Sequence, residues 1–231
     1  MGSITVVGLG PGRFGLITLE SWEAMKRAET LVLRTAVHPS AAGLKERGLS
    51  FESYDAWYEK AGSFEELYRS IAADLIRRAG AGEEIVYAVP GSPLVAERTV
   101  ALLREMTEKE AQGKIILSVQ PGMSFVEALY ASLGIDPIEG LAILDAEEAA
   151  HLSGRLTTAA LFTQVYSREI ASELKLALME HLPDETEVIY LHNIALPDES
   201  VRRILLYELD RQKDIDHLTS VFLPARNFQN D

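Results

Sequence analysis

Val86-Tyr87-Ala88-Val89-Pro90-Gly91-Ser92-Pro93-Leu94-Val95-Ala96-Glu97 is the stretch on which the reading of this chain turns. Residues 85–89 form a short apolar run that reads as a buried strand, residues 90–93 must turn, and residues 94–105 carry helical spacing. The turn therefore belongs at the carboxyl end of a strand. In open α/β sheets ligands bind at that edge, where strands stop and helix N-termini leave backbone N–H groups unpaired. Pro90 and Pro93 remove donors and stiffen the bend around Gly91 and Ser92, which suits a wall against a flat ligand better than a phosphate cradle. The stretch is read as half of a cofactor site.

Working outward, strand and helix patterns alternate. Residues 4–9 are an apolar run ending in Gly8-Leu9-Gly10-Pro11-Gly12-Arg13-Phe14-Gly15, a second strand-end loop, and a helix over 19–28 follows with Thr18 as its cap. Residues 30–33 read as a strand, and 64–79 as an amphipathic helix with Phe64, Leu67, Ile71, Leu75 and Ile76 on one face. Residues 35–62 between them are irregular. They hold His38, Tyr54, Trp57 and Tyr58, a composition that suits either a lid over a site or aromatics packing a loop down. On the other side, a strand over 115–119 leads into Pro121-Gly122-Met123-Ser124 and a helix over 125–133, which Asp136-Pro137 ends. The Pro-Gly turn thus occurs twice between a strand and a helix, as two loops facing one ligand or as ordinary punctuation of α/β connections. Strands at 142–144, 159–163, 187–190 and 219–222 and a helix over 167–182 complete the pattern. The expected architecture is an α/β fold of two subdomains, with a parallel sheet in residues 1–119 and a mixed sheet in 120–231. The cofactor cleft lies between them.

Composition narrows the function. A chain of 231 residues, 47% hydrophobic and 25% charged, can bury a real core, and no run approaches the roughly 18 apolar residues of a membrane span. Without a basic, then apolar, leader pattern, a cytoplasmic location is expected. The absence of cysteine excludes disulfides, thiolate catalysis and cysteine-bound metal. A net charge of −13 disfavours nucleic acid and anionic membrane as partners, so small-molecule chemistry is expected.

The common catalytic signatures each fail at a named position. Gly10-Pro11-Gly12-Arg13-Phe14-Gly15 fits Gly-x-Gly-x-x-Gly, but Val32-Leu33-Arg34-Thr35-Ala36 lacks the acidic residue that would hold a ribose, and Pro11 removes an N–H. Leu16-Ile17 stand where a phosphate-binding loop needs Lys and a hydroxyl, and Val126 breaks a Gly-x-Ser-x-Gly elbow at Ser124. His38, His151, His181, His192 and His217 show no ligand spacing, and the adjacent pairs Glu65-Glu66, Glu83-Glu84 and Glu147-Glu148 diverge on a helix, so no metal is expected.

Taken together, the Gly-Leu-Gly-Pro-Gly loop, the Gly-Ser-Pro-Leu-Val loop at 91–95 and Pro121-Gly122-Met123-Ser124 resemble the tetrapyrrole (corrin/porphyrin) methylases, the class III S-adenosylmethionine-dependent methyltransferases. The later segments Leu161-Phe162-Thr163-Gln164-Val165-Tyr166 and Ile194-Ala195-Leu196-Pro197 fall where that family lines its cleft. The Tyr-Ala-Val-Pro-Gly-Ser-Pro wording and the ending His217-Leu218-Thr219-Ser220-Val221-Phe222-Leu223-Pro224 look more narrowly like methylase-like domains that some bacterial proteins fuse to a MazG-type nucleotide pyrophosphohydrolase. This chain contains no glutamate-rich metal helix of that second kind.

The resemblance implies S-adenosylmethionine as cofactor. It places Pro11, Pro90, Gly91, Ser92, Val95, Ser124, Phe125, Val165, Tyr166, Leu196 and Pro197 around the cofactor and Gly10, Gly12 and Arg13 on the substrate side. It names no catalytic residue here. Methyl transfer from an activated sulfonium needs mainly alignment and exclusion of water, so the lack of a triad is consistent. Many family members carry Asp where this chain has Arg13 and Ser92. Arg13 either attracts an anionic substrate or a fused partner or stands in solvent, while Ser92 keeps hydrogen-bonding capacity. Two readings follow: a methyltransferase with an unknown small-molecule acceptor, or a non-catalytic domain that senses the cofactor or its demethylated product for an attached pyrophosphohydrolase. A nicotinamide-dependent oxidoreductase comes last. The family also implies a homodimer, for which the helix over 167–182 offers an apolar face.

Overall fold

The computed structural model describes residues 1–111, 113–151 and 156–225. The chain divides into two compact units, Met1–Glu127 and Ala128–Asp231.

The first unit is built on a five-stranded sheet of β1 (Ser3–Gly8), β2 (Thr30–Leu33), β3 (Glu52–Ser53), β4 (Glu84–Val89) and β5 (Ile116–Val119), in the order β3-β2-β4-β1-β5 with every pairing parallel. Alternate residues go to opposite faces, as a strand requires. Ile4, Val6, Val32, Ile85, Tyr87 and Val89 join a core with Leu67, Ile71 and Leu75 of α4 (Phe64–Gly80) and Val100, Leu102 and Leu103 of α5 (Arg98–Met106). Val7, Leu31, Leu33 and Ala88 pack on the other face with Met25 of α1 (Leu19–Arg27) and Ala41 and Leu44 of α2 (Pro39–Glu46). Burial on both faces explains why these strands read as continuous apolar runs.

Thr18 caps α1 by accepting the Ser21 N–H at 3.2 Å, the role its position predicts. Residues 35–62 are more ordered than their sequence suggests, since they contain α2, β3 and a short helix α3 (Asp55–Tyr58). Pro39 opens α2 and the His38 imidazole caps it, accepting the Ser40 N–H at 3.2 Å. The helix expected over 94–105 begins only at Arg98: Ala96 is left-handed, φ +52°, and Glu97 is the cap.

The chain passes between units inside α6 (Phe125–Leu133). The second unit carries a mixed five-stranded sheet of β6 (Leu141–Asp145), β7 (Ala159–Thr163), β8 (Glu187–His192), β9 (Ser200–Leu205) and β10 (Thr219–Leu223), in the order β6-β7-β10-β8-β9. β6 and β7 are parallel, and β10 runs antiparallel between β7 and β8. Leu174 and Leu178 of α7 (Arg168–Met179) pack on Phe162, Val188, Tyr190, Val221 and Leu223. The sequence reading missed β9, which pairs antiparallel with β8 along the sheet edge. Among the described residues no helix is long and apolar enough to cross a membrane.

Candidate functional site

In the first unit β1 lies between β4 and β5, so the loops that follow these strands leave the same edge side by side. They are in contact. Gly10 and Gly91 pair back to back, with Gly10 N–H donating to the Gly91 carbonyl at 3.2 Å and Gly91 N–H to the Gly10 carbonyl at 2.8 Å. Both are left-handed, at φ +69° and +65°, which only glycine adopts without strain. At Gly8 a Cβ would stand 2.4 Å from the Gly91 carbonyl oxygen, and at Gly122 one would stand 2.9 Å from Pro93 Cδ. The doubled Pro-Gly turn therefore builds one three-loop junction in which bare backbones touch.

The middle loop is shaped from within. The Ser92 hydroxyl, almost wholly buried, accepts the Leu94 N–H at 3.3 Å, and Val95 N–H donates to the Ser92 carbonyl. Pro90, Gly91 and Val95 are half-buried. In the first loop Pro11 is half-buried, Gly12 buried and Arg13 exposed. Ser124 serves α6: its hydroxyl accepts the Val126 N–H at 3.1 Å and donates to Glu127, whose carboxylate also takes the Ser124 N–H at 2.7 Å. This reciprocal cap occupies both polar groups of Ser124. Phe125 beside it is half-buried.

Sequence reasoning missed the residues that hold these loops from the side of β2. Ser40, fully buried in α2, turns its hydroxyl to the carbonyls of Leu9 at 3.0 Å and Gly12 at 2.7 Å. His38 stays neutral, its pKa lowered to about 4 by burial and by the nearby Arg34 charge, against a backbone hydrogen bond with Gly10. Arg34, one residue past β2, reaches Glu97 at 3.0 Å. The Glu97 side chain is 2% exposed and accepts the Thr99 N–H at 3.2 Å as the cap of α5. Burial raises its pKa although Arg34 opposes this. His-Pro-Ser ahead of Ala-Ala-Gly-Leu was the available signal for α2, a polar cap followed by proline in the first turn. Nothing local marked Arg34.

In the second unit the stretches around Val165 and Leu196 meet at one edge of the sheet, on either side of the start of β10. Val165 N–H donates to the Thr219 carbonyl and Asn193 N–H to the Leu218 carbonyl, both at 3.3 Å. Val165 points into the core at 0% exposure. Tyr166 is exposed, and its hydroxyl donates to Glu147 at 2.8 Å, a bond that pushes its pKa up to about 12. Leu196 is half-buried and Pro197 exposed. His192 lies 3.1 Å from Asp216. The His151 side chain is outside the described residues.

Backbone strain falls at the same places. The non-glycine residues with left-handed φ among those described are Ala96, Gln164, Asn193 and Ala195. Each lies in a loop that directly follows β4, β7 or β8. Such conformations cost about 1–3 kcal/mol each and persist where the surroundings over-determine them, commonly at ligand sites.

The match to the family model for Tetrapyrrole (Corrin/Porphyrin) Methylases runs over residues 3–210 and so covers the first sheet and every strand of the second except β10. The chain belongs to this family. Members of the tetrapyrrole methylase family are S-adenosylmethionine-dependent methyltransferases. Among curated relatives, the chain is 41% identical to the uncharacterized protein YabN of Bacillus subtilis over 96% of its own length and 45% of YabN. It is 31% identical to a siroheme synthase of Tolumonas auensis over 58% of its own length and 27% of that protein. The chain thus spans less than half the length of these relatives. The fold is shared with the solved methyltransferase CobJ, at TM-score 0.73 and 19% identity, covering 97% of this chain and 94% of that one. It is shared also with uroporphyrin-III-C-methyltransferase from Thermus thermophilus, at TM-score 0.74 and 19% identity, covering 97% and 95%.

Proposed function

We propose that this chain is an S-adenosylmethionine-dependent methyltransferase domain acting on a small-molecule acceptor. The observation that carries the reading is the junction of Gly8, Gly10, Gly91 and Gly122, four positions without a side chain where three strand-end loops converge. Its residues suit the family's methyl donor. The place a Cβ would take at Gly91 is open, with nothing within 4 Å, so a ligand can lie against bare backbone there. Half-buried Pro90 adds carbon surface without an N–H donor, as a wall for an adenine or an aliphatic chain would require, and buried Pro93 backs the junction at Gly8 and Gly122.

When bound, the cofactor supplies an electrophilic methyl group on a sulfonium. Pro11, Pro90, Gly91, Ser92 and Val95 in the first unit would hold it. Ser124 and Phe125 support that wall from the start of α6, and Gly10, Gly12 and Arg13 face the acceptor. The protein's contribution is to fix the line from nucleophile to methyl and to keep water out.

The exposed Arg13 and the turn-bound Ser92, at positions where many members carry Asp, favour a second reading. In it the domain binds the cofactor or its demethylated product without transferring methyl, and regulates a MazG-type pyrophosphohydrolase in a longer protein. Titration calorimetry with S-adenosylmethionine tests the binding common to both: the wild type should bind, and Gly91→Val should lose binding while keeping its fold. A Cβ there meets nothing within 4 Å, and the variant carries the strain of a β-branched residue at φ +65°. Unchanged affinity in Gly91→Val would refute the site. Incubation with methyl-labelled cofactor and a panel of porphyrinoids and cell metabolites separates the readings, since transfer rules out the purely sensory role.

A further inference from the structure

The middle loop of the first unit ends in a feature that its own sequence does not require. The Arg34 guanidinium and the Glu97 carboxylate, 3.0 Å apart, are withdrawn from water, with side chains 19% and 2% exposed. Tyr58, Tyr68 and Tyr87 surround the pair, the Tyr68 ring 5.9 Å from the guanidinium, and Arg34 Nε is buried without a hydrogen-bond partner. As a source of stability this arrangement is poor. Desolvating two charges offsets most of their attraction, and apolar side chains of similar volume serve a core equally well. What such a pair does provide is geometry, because it persists only when both groups stay within narrow limits of distance and direction.

Its place in the fold says what that geometry fixes. Arg34 continues β2, its N–H donating to the Ala88 carbonyl of β4 at 2.9 Å, and Glu97 is the last residue before α5. The pair therefore closes residues 90–97 at the end opposite to the Gly10–Gly91 hydrogen bonds. Between these anchors lies the strained Ala96, left-handed at φ +52°. A chain released at Glu97 would relax Ala96 into an ordinary conformation and shift residues 92–95 against the fixed Gly91. Resting on the cofactor reading above, we infer that Arg34 and Glu97 are positioning residues, whose ion pair holds the Pro90–Glu97 loop in the shape that receives the cofactor. They act through the loop and not on the reacting atoms.

The test uses the whole chain, free of ligand, and follows hydrogen exchange at the amides of Leu94 and Val95, which donate to the Ser92 hydroxyl and the Ser92 carbonyl. In the wild type those hydrogen bonds should protect them. In R34M/E97L, which exchanges the buried charges for apolar groups, they should exchange at least about tenfold faster while the melting temperature falls by no more than the loss of the Glu97 cap on α5 would cost. R34K, keeping the charge and losing the planar fork, should fall between. Should R34M/E97L fail to fold, E97Q takes its place, since its amide oxygen can still cap α5 while the charge is gone. Exchange within about twofold of wild type in a folded variant overturns the inference. Titration with S-adenosylhomocysteine then reads the link to the cofactor, with about tenfold weaker binding expected in the loosened variants. Wild-type affinity in a variant whose loop has loosened also overturns the inference. A wild type that does not bind S-adenosylhomocysteine refutes the cofactor reading instead, and the exchange result still decides whether the pair holds the loop.

Discussion

Gly8 shows how much of this fold depends on atoms that are missing. With a Cβ it would press into the Gly91 carbonyl at 2.4 Å, so the loop after β4 could not close over β1. His38 shows the complementary case, a titratable group kept from titrating. Its ring stays neutral because burial and the Arg34 charge lower its pKa to about 4, and the neutral nitrogen is the acceptor that caps α2. In the unfolded chain an imidazole titrates near 6.5, so the folded state binds fewer protons below that value. Folding stability should accordingly be independent of this group above about pH 7 and fall as the pH drops from about 6.5 toward 4. Urea unfolding across that range checks this against His38→Asn, whose side-chain oxygen can still accept the Ser40 N–H. The wild type should lose more stability on acidification than the variant, and parallel curves would show that His38 is free to protonate.

At the scale of elements, local chemistry was legible wherever a helix or strand carried its own boundary. The strand Thr30–Leu33, the strand Ala159–Thr163 and the helix Phe125–Leu133 lie where apolar spacing and turn residues put them. α6 in addition carries the reciprocal Ser124–Glu127 cap, and its energetics can be measured. Ser124→Ala should cost about 1 kcal/mol in urea unfolding, and Glu127→Ala a similar amount. Because the two side chains hydrogen-bond each other, the double variant should cost less than the two losses added. Strict additivity would mean that they cap separately.

Three elements were not legible, each for a physical reason. α2 spans eight residues, too few for a helical period to declare itself beside Pro39 and Gly43. β9 is an edge strand whose two arginines are taken up by Asp214 and Glu187, so its sequence lacks the apolar run of a central strand. The start of α5 was misjudged because Leu94 and Val95 continue the apolar spacing of the helix by sequence alone. In the structure Leu94 is more than half exposed, and Ala96 turns left-handed before the Glu97 cap.

Across the whole molecule each unit has its own core, and destabilisation should respect that division. Leu174, fully buried on α7, packs in the second unit. Leu174→Ala should cost about 2–5 kcal/mol and raise hydrogen exchange first in β7, β8, β10 and α7. Equal loss of protection in β1 and β4 would show that both units open together. The sequence by itself determined the alternation of strands and helices, the all-parallel character of the first sheet and, through its three glycine–proline loops, the family. These are written locally, in hydrophobic period and in residues that alone permit a given backbone conformation. Tertiary structure decided which loops became neighbours: Gly10 against Gly91, Gly122 against Pro93, Arg34 against Glu97, and the start of β10 between the Val165 and Asn193 stretches. These contacts follow from strand order, which is fixed by packing segments far apart along the chain, and neither partner's local sequence names the other.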